Sequence, residues 1–399
     1  MSISRGSSHQ RTRAPTSPTG VGSERWFRGL VAAAGFALAM TAPLELLYAR
    51  GFGVDHVGVS VFILTTMVGM IVVDVLGTRF VPHLAARTTL AGGMCAFGLS
   101  CGLMGSAPTF PLLLAGRVVQ GLGAAVLLGG GLQAAVRVYA SRERALGAFN
   151  GALLLGSSLG APAGGWLAGR FPGQTGYRFT FYACAAACGA VAVVVAGRLP
   201  PLRPADGAIA RIGLPRLDGP PGIGPALLLG SLGDFMRGGV VYTALPLVGA
   251  QRDLSTATIG IAVGVLTAVE IVMMSRAEAV IGRFGVVGCI LAALATGICS
   301  SCVLAFATGR VAFVAGAFVF GFAVAGATVA PPLLIVTLTG DAATGLAQFR
   351  IASGIGMAVG STGVALVATA LGPTRLFGLV AACLVAAGLL TYAIGRRPA

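Results

Sequence analysis

The sequence predicts an all-α membrane protein with twelve membrane-spanning helices, arranged as two related six-helix bundles. Twelve apolar stretches of about twenty residues follow one another, and each is long enough to cross about 30 Å of hydrocarbon as a helix. Hydrophobic residues make up 56% of the 399 residues and charged residues only 10%, which is more apolar surface than one soluble core buries. The arginines, in addition, are concentrated in alternate connections.

The apolar stretches define the bounds of the predicted spans. In chain order the spans are 29–49, 57–77, 88–107, 110–135, 147–169, 178–197, 224–248, 257–278, 286–307, 310–338, 344–371 and 374–395. Residues 1–28 are rich in Ser, Arg, Pro and Gly, which predicts a disordered cytoplasmic arm. Residues 198–223 are rich in Pro, Gly and Arg, which predicts a cytoplasmic linker between a first bundle at 29–197 and a second at 224–395.

The distribution of charge predicts how the chain is oriented. The net charge is +15, and all 27 basic residues are arginine. The arm, the linker, the tail and alternate connections hold 18 arginines, whereas the opposite connections hold six. Because arginine-rich connections stay in the cytoplasm, both termini are predicted to be cytoplasmic and the number of spans to be even. This pattern explains the positive charge better than nucleic-acid binding does. The Arg- and Gly-rich composition suggests a bacterial protein of the inner membrane.

The two halves of the chain show an internal repeat. At an offset of 200 residues, Phe149 corresponds to Phe349 and Gly160 to Gly360. Two parallel six-helix repeats, with a site between them near the midplane of the membrane, are typical of secondary transporters.

The fourth span carries a charge inside the membrane, at Arg117. A guanidinium in hydrocarbon is costly, and such groups mark functional sites by default. Its counterpart in the repeat is Ala317, so the fold itself does not require the charge. The segment from Arg117 to Gly121 resembles the R-x-x-Q-G pattern of the major facilitator superfamily, in particular its twelve-helix drug:proton antiporters. The resemblance implies that Arg117 faces the central cavity and takes part in proton coupling, with Gln120 and Gly121 beside it. The alternative is a structural arginine buried against carbonyl groups.

The fifth span is rich in glycine. Gly156, Gly160, Pro162 and Gly164 resemble the G-x-x-x-G-P-x-x-G-G signature of the exporters in that family, with the proline one position later. Glycines spaced by four let two helices approach closely, and proline bends a helix. Such a surface suits two halves that rock against each other; ordinary tight packing is the alternative.

The connection after the second span contains Asp74, Gly77 and Arg79. These residues resemble a degraded form of the family's loop motif G-x-x-x-D-R-x-G-R-R. The resemblance implies that Asp74 meets the opposite half and stabilises one gating state. The alternative is a solvated loop acid.

Four further ionisable residues fall inside predicted spans of the second half. Asp234 and Arg237 are three residues apart on the seventh span and could simply neutralise each other. Glu270 and Arg350 lie at similar depths in the eighth and eleventh spans, without a predicted contact. We treat Arg237, Glu270 and Arg350 as candidates to line the cavity.

Glu45, in the outer part of the first span, is predicted to pair with Arg117. At a rise of about 1.5 Å per residue, the depths of the two residues differ by only about 4 Å. A carboxyl group binds a proton less readily while an arginine faces it, so this pair could load and release a proton in different states. Asp234 is the next candidate for proton coupling. The alternative for Glu45 is an acid solvated in an aqueous mouth.

The sequence predicts a proton-coupled exporter of small amphipathic molecules, of the drug-efflux type associated with antibiotic resistance. The chain contains no lysine and hence no phosphate-binding G-x-x-x-x-G-K motif, so the proton gradient is the expected energy source. We expect no enzyme activity, cofactor or metal, and a monomer whose partners are its substrate and the lipid bilayer. An importer or metabolite transporter of the same fold is one alternative. A non-transporting scaffold or signalling protein is another, which the charges inside the membrane disfavour.

Overall fold

The computed structural model describes residues 21–80, 84–139, 142–199, 222–340 and 342–395, and these form helices joined by short connections. The helices are α1 (Val21–Ala39), α2 (Glu45–Arg50), α3 (His56–Phe80), α4 (Ala86–Ser106), α5 (Phe110–Val138), α6 (Arg142–Ala168), α7 (Gln174–Arg198), α8 (Ile223–Met236), a π-helical segment (Arg237–Ala244), α9 (Leu245–Gln251), α10 (Thr256–Ser275), α11 (Ala277–Phe306), α12 (Arg310–Thr339) and α13 (Ala342–Gly395).

These elements make the predicted twelve crossings, because two spans consist of more than one element and one long element makes two spans. The first span consists of α1 and α2, which are separated by a short turn around Pro43. The seventh consists of α8, the π-helical segment and α9. The last two spans both belong to α13, which bends at Gly372, where a φ of 76° favours glycine, just before Pro373.

The helical stretches differ in how apolar they are. Within the described part of the chain, eight helical stretches are long and apolar enough to cross a membrane. In addition, α3 has a shorter apolar stretch over Val57–Met70. The other crossings are the broken first and seventh spans and the more polar α6. Large apolar side chains on the outside of the bundle, such as Val193 and Val311, are more than 70% exposed in the absence of lipid. A lipid-facing surface explains this exposure.

Helix contacts divide the described chain into two bundles. In the first half α4 packs on α5 and α7, and α1 packs on α6. In the second half α11 packs on α12 and α13, and α8 packs on α13. The bundles meet through α6 with α10 and α3 with α13, and also where α2 approaches α9.

The predicted repeat is visible in how two glycine-rich helices pack. A Cβ atom on Gly160 of α6 would lie 2.2 Å from the carbonyl oxygen of Phe36, and one on Gly360 of α13 would lie 2.4 Å from that of Phe235. Only glycine permits this approach of two helix backbones. The partner positions, Phe36 and Phe235, are one residue away from the offset of 200. The repeat therefore extends to tertiary contacts, with a small shift in register.

The prediction of a disordered arm over 1–28 is wrong at its end, because α1 already begins at Val21. Phe27 is 1% exposed and packs on the ring of Tyr139, with the centroids 6.3 Å apart. Arg144 Nη2 lies 3.1 Å from Glu24 Oε2. These contacts with the first bundle stabilise residues 21–28 as a helix, although their composition alone favours disorder. Residues 1–20, and most of the predicted linker at 198–223, lie outside the described residues.

Candidate functional site

A cavity of about 260 Å³ lies between the two halves. Helices of the first half form most of its wall, and the π-helical segment and α13 close the other side. The wall is mainly apolar, with phenylalanine and methionine side chains. Its polar members are Glu45, Thr66, Arg117, Gln120, Tyr242, Thr243 and Ser361. A concave apolar site with a few convergent polar groups is what a small-molecule ligand requires.

An ion pair forms the polar part of the wall. Arg117 Nη1 contacts Glu45 Oε2 and also donates to Gln120 Oε1. Gln120 Nε2 donates to Glu45 Oε1 over 2.6 Å, and the Thr41 hydroxyl donates to the same oxygen over 2.9 Å. The contact expected between Glu45 and Arg117 is therefore present, whereas their role in proton coupling stays a prediction.

The break in the first span positions this acid. The turn between α1 and α2 places Glu45 in the first turn of α2, and the Thr41 hydroxyl just before it points to the same carboxylate. Gln120 follows Arg117 by one helical turn, so both side chains leave α5 on the same face. This spacing explains why one carboxylate can contact both.

The two charges of the pair are largely removed from water. The Arg117 and Glu45 side chains are only 13% and 11% exposed. The guanidinium carbon also lies 4.6 Å from the centre of the Phe62 ring, at the distance of a cation–π contact. Among the described residues, Arg117 Nε has no hydrogen-bond partner, and neither has the Thr66 hydroxyl in the same wall. Both atoms are buried in this conformation, so their donors are left unsatisfied.

A second group of charges lies in the other half. Arg237 contacts Glu270 through Nη2, and its Nε lies 3.8 Å from Asp234 Oδ1. Arg237 Nη2 also lies 3.4 Å from the Thr328 hydroxyl, and Ser353 donates to Asp234 Oδ2. The predicted pairing of Asp234 with Arg237 is present but long. We call these five side chains the second-half cluster.

Several cavity candidates lie elsewhere. Gln120 lines the cavity, but Gly121 packs against α3, where a Cβ atom would lie 2.1 Å from the carbonyl oxygen of Thr66. Arg237 and Glu270 belong to the second-half cluster, because they contact each other instead of the cavity. The side chain of Arg350 lies outside the described residues.

The motif after the second span is helical at the level of the backbone. α3 continues to Phe80 and includes Asp74, Gly77 and Arg79, so the expected loop is a helix there. The side chains of these residues lie outside the described part of the chain. The gating role of Asp74 therefore stays a prediction.

The glycines of α6 face a different neighbour from the one expected. Gly156 and Gly160 pack on α1, and Gly164 packs on Met40 just after it, so they do not form the surface between the halves. Pro162 does contact the opposite half, at Gly264 of α10. The reason is rotation about the helix axis, since residues four apart share one face and Pro162 lies on another.

The contact between α6 and α10 is close near the C-terminal end of α6 and the N-terminal end of α10, which are remote from the chain termini. A Cβ atom on Gly260 would lie 2.5 Å from the carbonyl oxygen of Ala161. The Thr256 hydroxyl donates to the carbonyl oxygen of Gly165 over 2.8 Å. Small residues on both helices therefore bring the two halves together at this end.

Sequence reasoning missed several residues of these sites. Tyr242 lines the cavity, Phe62 stacks on Arg117, and Thr328 and Ser353 complete the second-half cluster. Hydroxyl and aromatic residues are common in membrane helices, so none gave a separate signal.

Two helical bundles around a central cavity, with charged groups buried in its wall, define a secondary transporter. A family model described as the Major Facilitator Superfamily matches residues 26–361, and the chain belongs to this family of transporters, which is not enzymatic.

Structural relatives share the fold at low sequence identity. The nucleoside transporter NupG superposes with a TM-score of 0.71 and 13% identity, over 94% of this chain and 100% of that chain. A bacterial homologue of the human lysosomal transporter Spinster, in an inward-facing and occupied conformation, gives 0.73 and 14%, over 94% and 98%.

A curated relative matches only in part. The vacuolar membrane amino acid uptake transporter fnx2 of Schizosaccharomyces pombe is 30% identical over 106 residues, which cover 25% of this chain and 18% of that protein.

Proposed function

We propose that this transporter exports small amphipathic molecules in exchange for protons. The observation that carries the proposal is the Glu45–Arg117–Gln120 network in the wall of the central cavity. It joins a proton acceptor and its counter-ion to the space that a substrate would occupy. The membrane potential supplies about 2.3 kcal/mol per charge for each 100 mV.

Competition for Glu45 is the proposed source of coupling. A cationic or hydrogen-bonding substrate that approaches Glu45 from the cavity weakens the contact with Arg117 and takes the place of a proton. Protonation of Glu45 removes the charge that holds the substrate. Substrate and proton therefore occupy the site in turn, which is the condition for exchange.

Alternating access is proposed to use the α6–α10 contact. The two halves touch closely at the ends remote from the chain termini, as the contacts of Gly165 and Gly260 show. We infer that the cavity opens on the side of the termini and that separation of α6 from α10 opens it on the other. With both termini in the cytoplasm of a bacterial cell, substrate would enter from inside.

Import is the alternative direction, and one observation favours it. Arg117 Nε and the Thr66 hydroxyl are donors without partners among the described residues. These donors are buried, so a substrate carboxylate would have to displace the side chains that cover them. Once bound, it would draw Arg117 away from Glu45, which would then take up a proton. Proton and anionic substrate would move together. The resemblance to an amino acid uptake transporter over a quarter of the chain is consistent with this direction.

Transport into proteoliposomes with an imposed pH gradient tests the proposal. We would screen cationic dyes, antibiotics, sugars and amino acids for flux of the wild-type chain and of Glu45→Gln. The expected result is movement of a cationic amphiphile against the proton flow, lost in Glu45→Gln. The matched control is Glu24→Gln, whose acid pairs with Arg144 away from the cavity. Amino acid flux in the same direction as protons would replace export by import. Gradient-driven accumulation by Glu45→Gln would remove Glu45 as the proton carrier.

A further inference from the structure

The two charged groups of this transporter differ in charge balance. In the first half Glu45 faces Arg117, and the charges cancel. In the second-half cluster Asp234 and Glu270 share Arg237 as their cation among the described side chains. Counted over these described side chains, two carboxylates and one guanidinium leave one negative charge in excess.

An uncompensated charge at this position is costly. The Glu270 side chain is 3% exposed, and those of Asp234 and Arg237 are about 20% exposed, within helices that cross the membrane. A buried carboxylate without a counter-ion costs several kcal/mol, and such groups neutralise instead of remaining charged. The cluster therefore needs one more positive charge, and a proton is the smallest that fits between side chains already in contact.

The fold itself does not require this arrangement. At the offset of 200, the residues in the first half are Ala34, Ala37 and Met70 in place of Asp234, Arg237 and Glu270. The corresponding helices of the first half thus pack without a charge at these three positions. Arg237 also begins the π-helical segment, and π-helical turns in α-helices are frequent at functional sites.

The contacts distinguish the two acids. Glu270 directly contacts Arg237 Nη2 and is almost wholly buried, which describes an ionised partner of the guanidinium. Asp234 is 3.8 Å from Arg237 Nε, but its other oxygen contacts the hydroxyl of Ser353. Asp234 is also 21% exposed, whereas Glu270 is 3% exposed.

We propose that Asp234 carries one exchangeable proton, on the carboxyl group that accepts from Ser353, while Glu270 stays ionised on Arg237. This assigns a proton site to the second half in addition to the Glu45–Arg117 pair. Occupancy of this proton site can be measured without a substrate. The proposal therefore rests on the proposed function only for the role of the proton in transport.

The other groups that face the cluster do not supply the missing charge among the described residues. Thr328 and Ser353 are neutral. Tyr242, one turn beyond Arg237, carries no positive charge whether it is protonated or not. Arg350 is one turn before Ser353 on α13, and its side chain lies outside the described residues. The experiment must therefore include a variant of Arg350.

Infrared spectroscopy of the full chain in liposomes detects the proton directly, through the C=O stretching band of a protonated carboxyl group. We expect the band in the wild type at neutral pH, with its isotope shift in D₂O, and in Glu45→Gln as the matched control. Asp234→Asn should abolish it. Glu270→Gln should weaken the band at neutral pH, because one carboxylate and one guanidinium then balance without a proton. Ser353→Ala changes no charge and should shift the frequency of the band, which keeps the test valid if Asp234→Asn does not fold.

Four results would overturn the proposal. The first is a wild type without the band, and the second is a band that survives Asp234→Asn. The third is a band whose frequency is unchanged in Ser353→Ala. The fourth is a band that is present in choline chloride but absent in sodium chloride. The last would assign the site to sodium.

If the wild type lacks the band and Arg350→Gln gains it, Arg350 is the missing cation. Loss of accumulation in Glu45→Gln without any band would refute this site alone, whereas a band without proton-driven transport would refute the proposed function alone.

Discussion

Gln120 binds both members of the buried ion pair: its Nε2 donates to Glu45 over 2.6 Å, and its Oε1 accepts from Arg117. The amide thus fixes the distance between the two charges from one helical turn away. Gln120 makes the position of Glu45 depend on α5 as a whole.

We therefore expect Gln120→Leu to weaken coupling while the protein still folds. A hydrogen bond to a charged group contributes about 1.5–3 kcal/mol, which corresponds to about 10- to 100-fold in the occupancy of the paired state. The measurement is the rate of proton-driven accumulation in proteoliposomes. Gln251→Leu, at the exposed end of α9, is the control. Equal rates in the Gln120 variant and the wild type would show that Arg117 holds Glu45 without help.

Two glycine-to-alanine changes should separate packing from gating. A Cβ atom on Gly160 meets Phe36 within the first half, so we expect Gly160→Ala to lower stability by about 1–3 kcal/mol. A Cβ atom on Gly260 meets Ala161 across the halves, so Gly260→Ala should leave the melting temperature almost unchanged and slow transport. Thermal unfolding in detergent and flux in liposomes give the two readouts. Identical profiles of the two variants would contradict the assignment of the two surfaces.

Loss of Arg237 should destabilise the second half through Glu270. Arg237→Gln leaves a buried acid without its cation, and breaking one side of such a pair costs about 3–5 kcal/mol. Adding Glu270→Gln removes the unpaired charge, so the double variant should recover most of the loss in melting temperature. Arg283→Gln, at an exposed position, is the control for charge. A double variant that is no more stable than Arg237→Gln would show that packing, not charge, causes the loss.

The orientation of the chain stays a prediction from its arginines. Reporter fusions at residues 210 and 399 should be cytoplasmic, and a fusion at residue 252 should be external. The result expected at residue 399 follows from an even number of spans. An external C-terminus would be incompatible with twelve crossings from a cytoplasmic N-terminus.

The pairing of Glu45 with Arg117 could be predicted because depth in a membrane follows from the sequence. Each helical residue adds a fixed rise, and the bilayer fixes where a span begins and ends. The same reasoning predicted twelve crossings, although their bounds shifted where packing extended a helix, as at Val21. Intramembrane charges were recognisable for the same reason, since hydrocarbon makes each of them exceptional.

The sequence by itself determined the solvent, the number of spans, the repeat and the residues that carry charge. Only the tertiary structure decided that Gly160 packs on α1, that Gly260 meets the other half, and that Glu270 contacts Arg237. The physical reason is that rise along the helix is set by the backbone, whereas rotation about its axis and the choice of neighbour are set by packing. In a chain with 62 glycines, one small-residue face resembles another, and only the assembled bundles distinguish them.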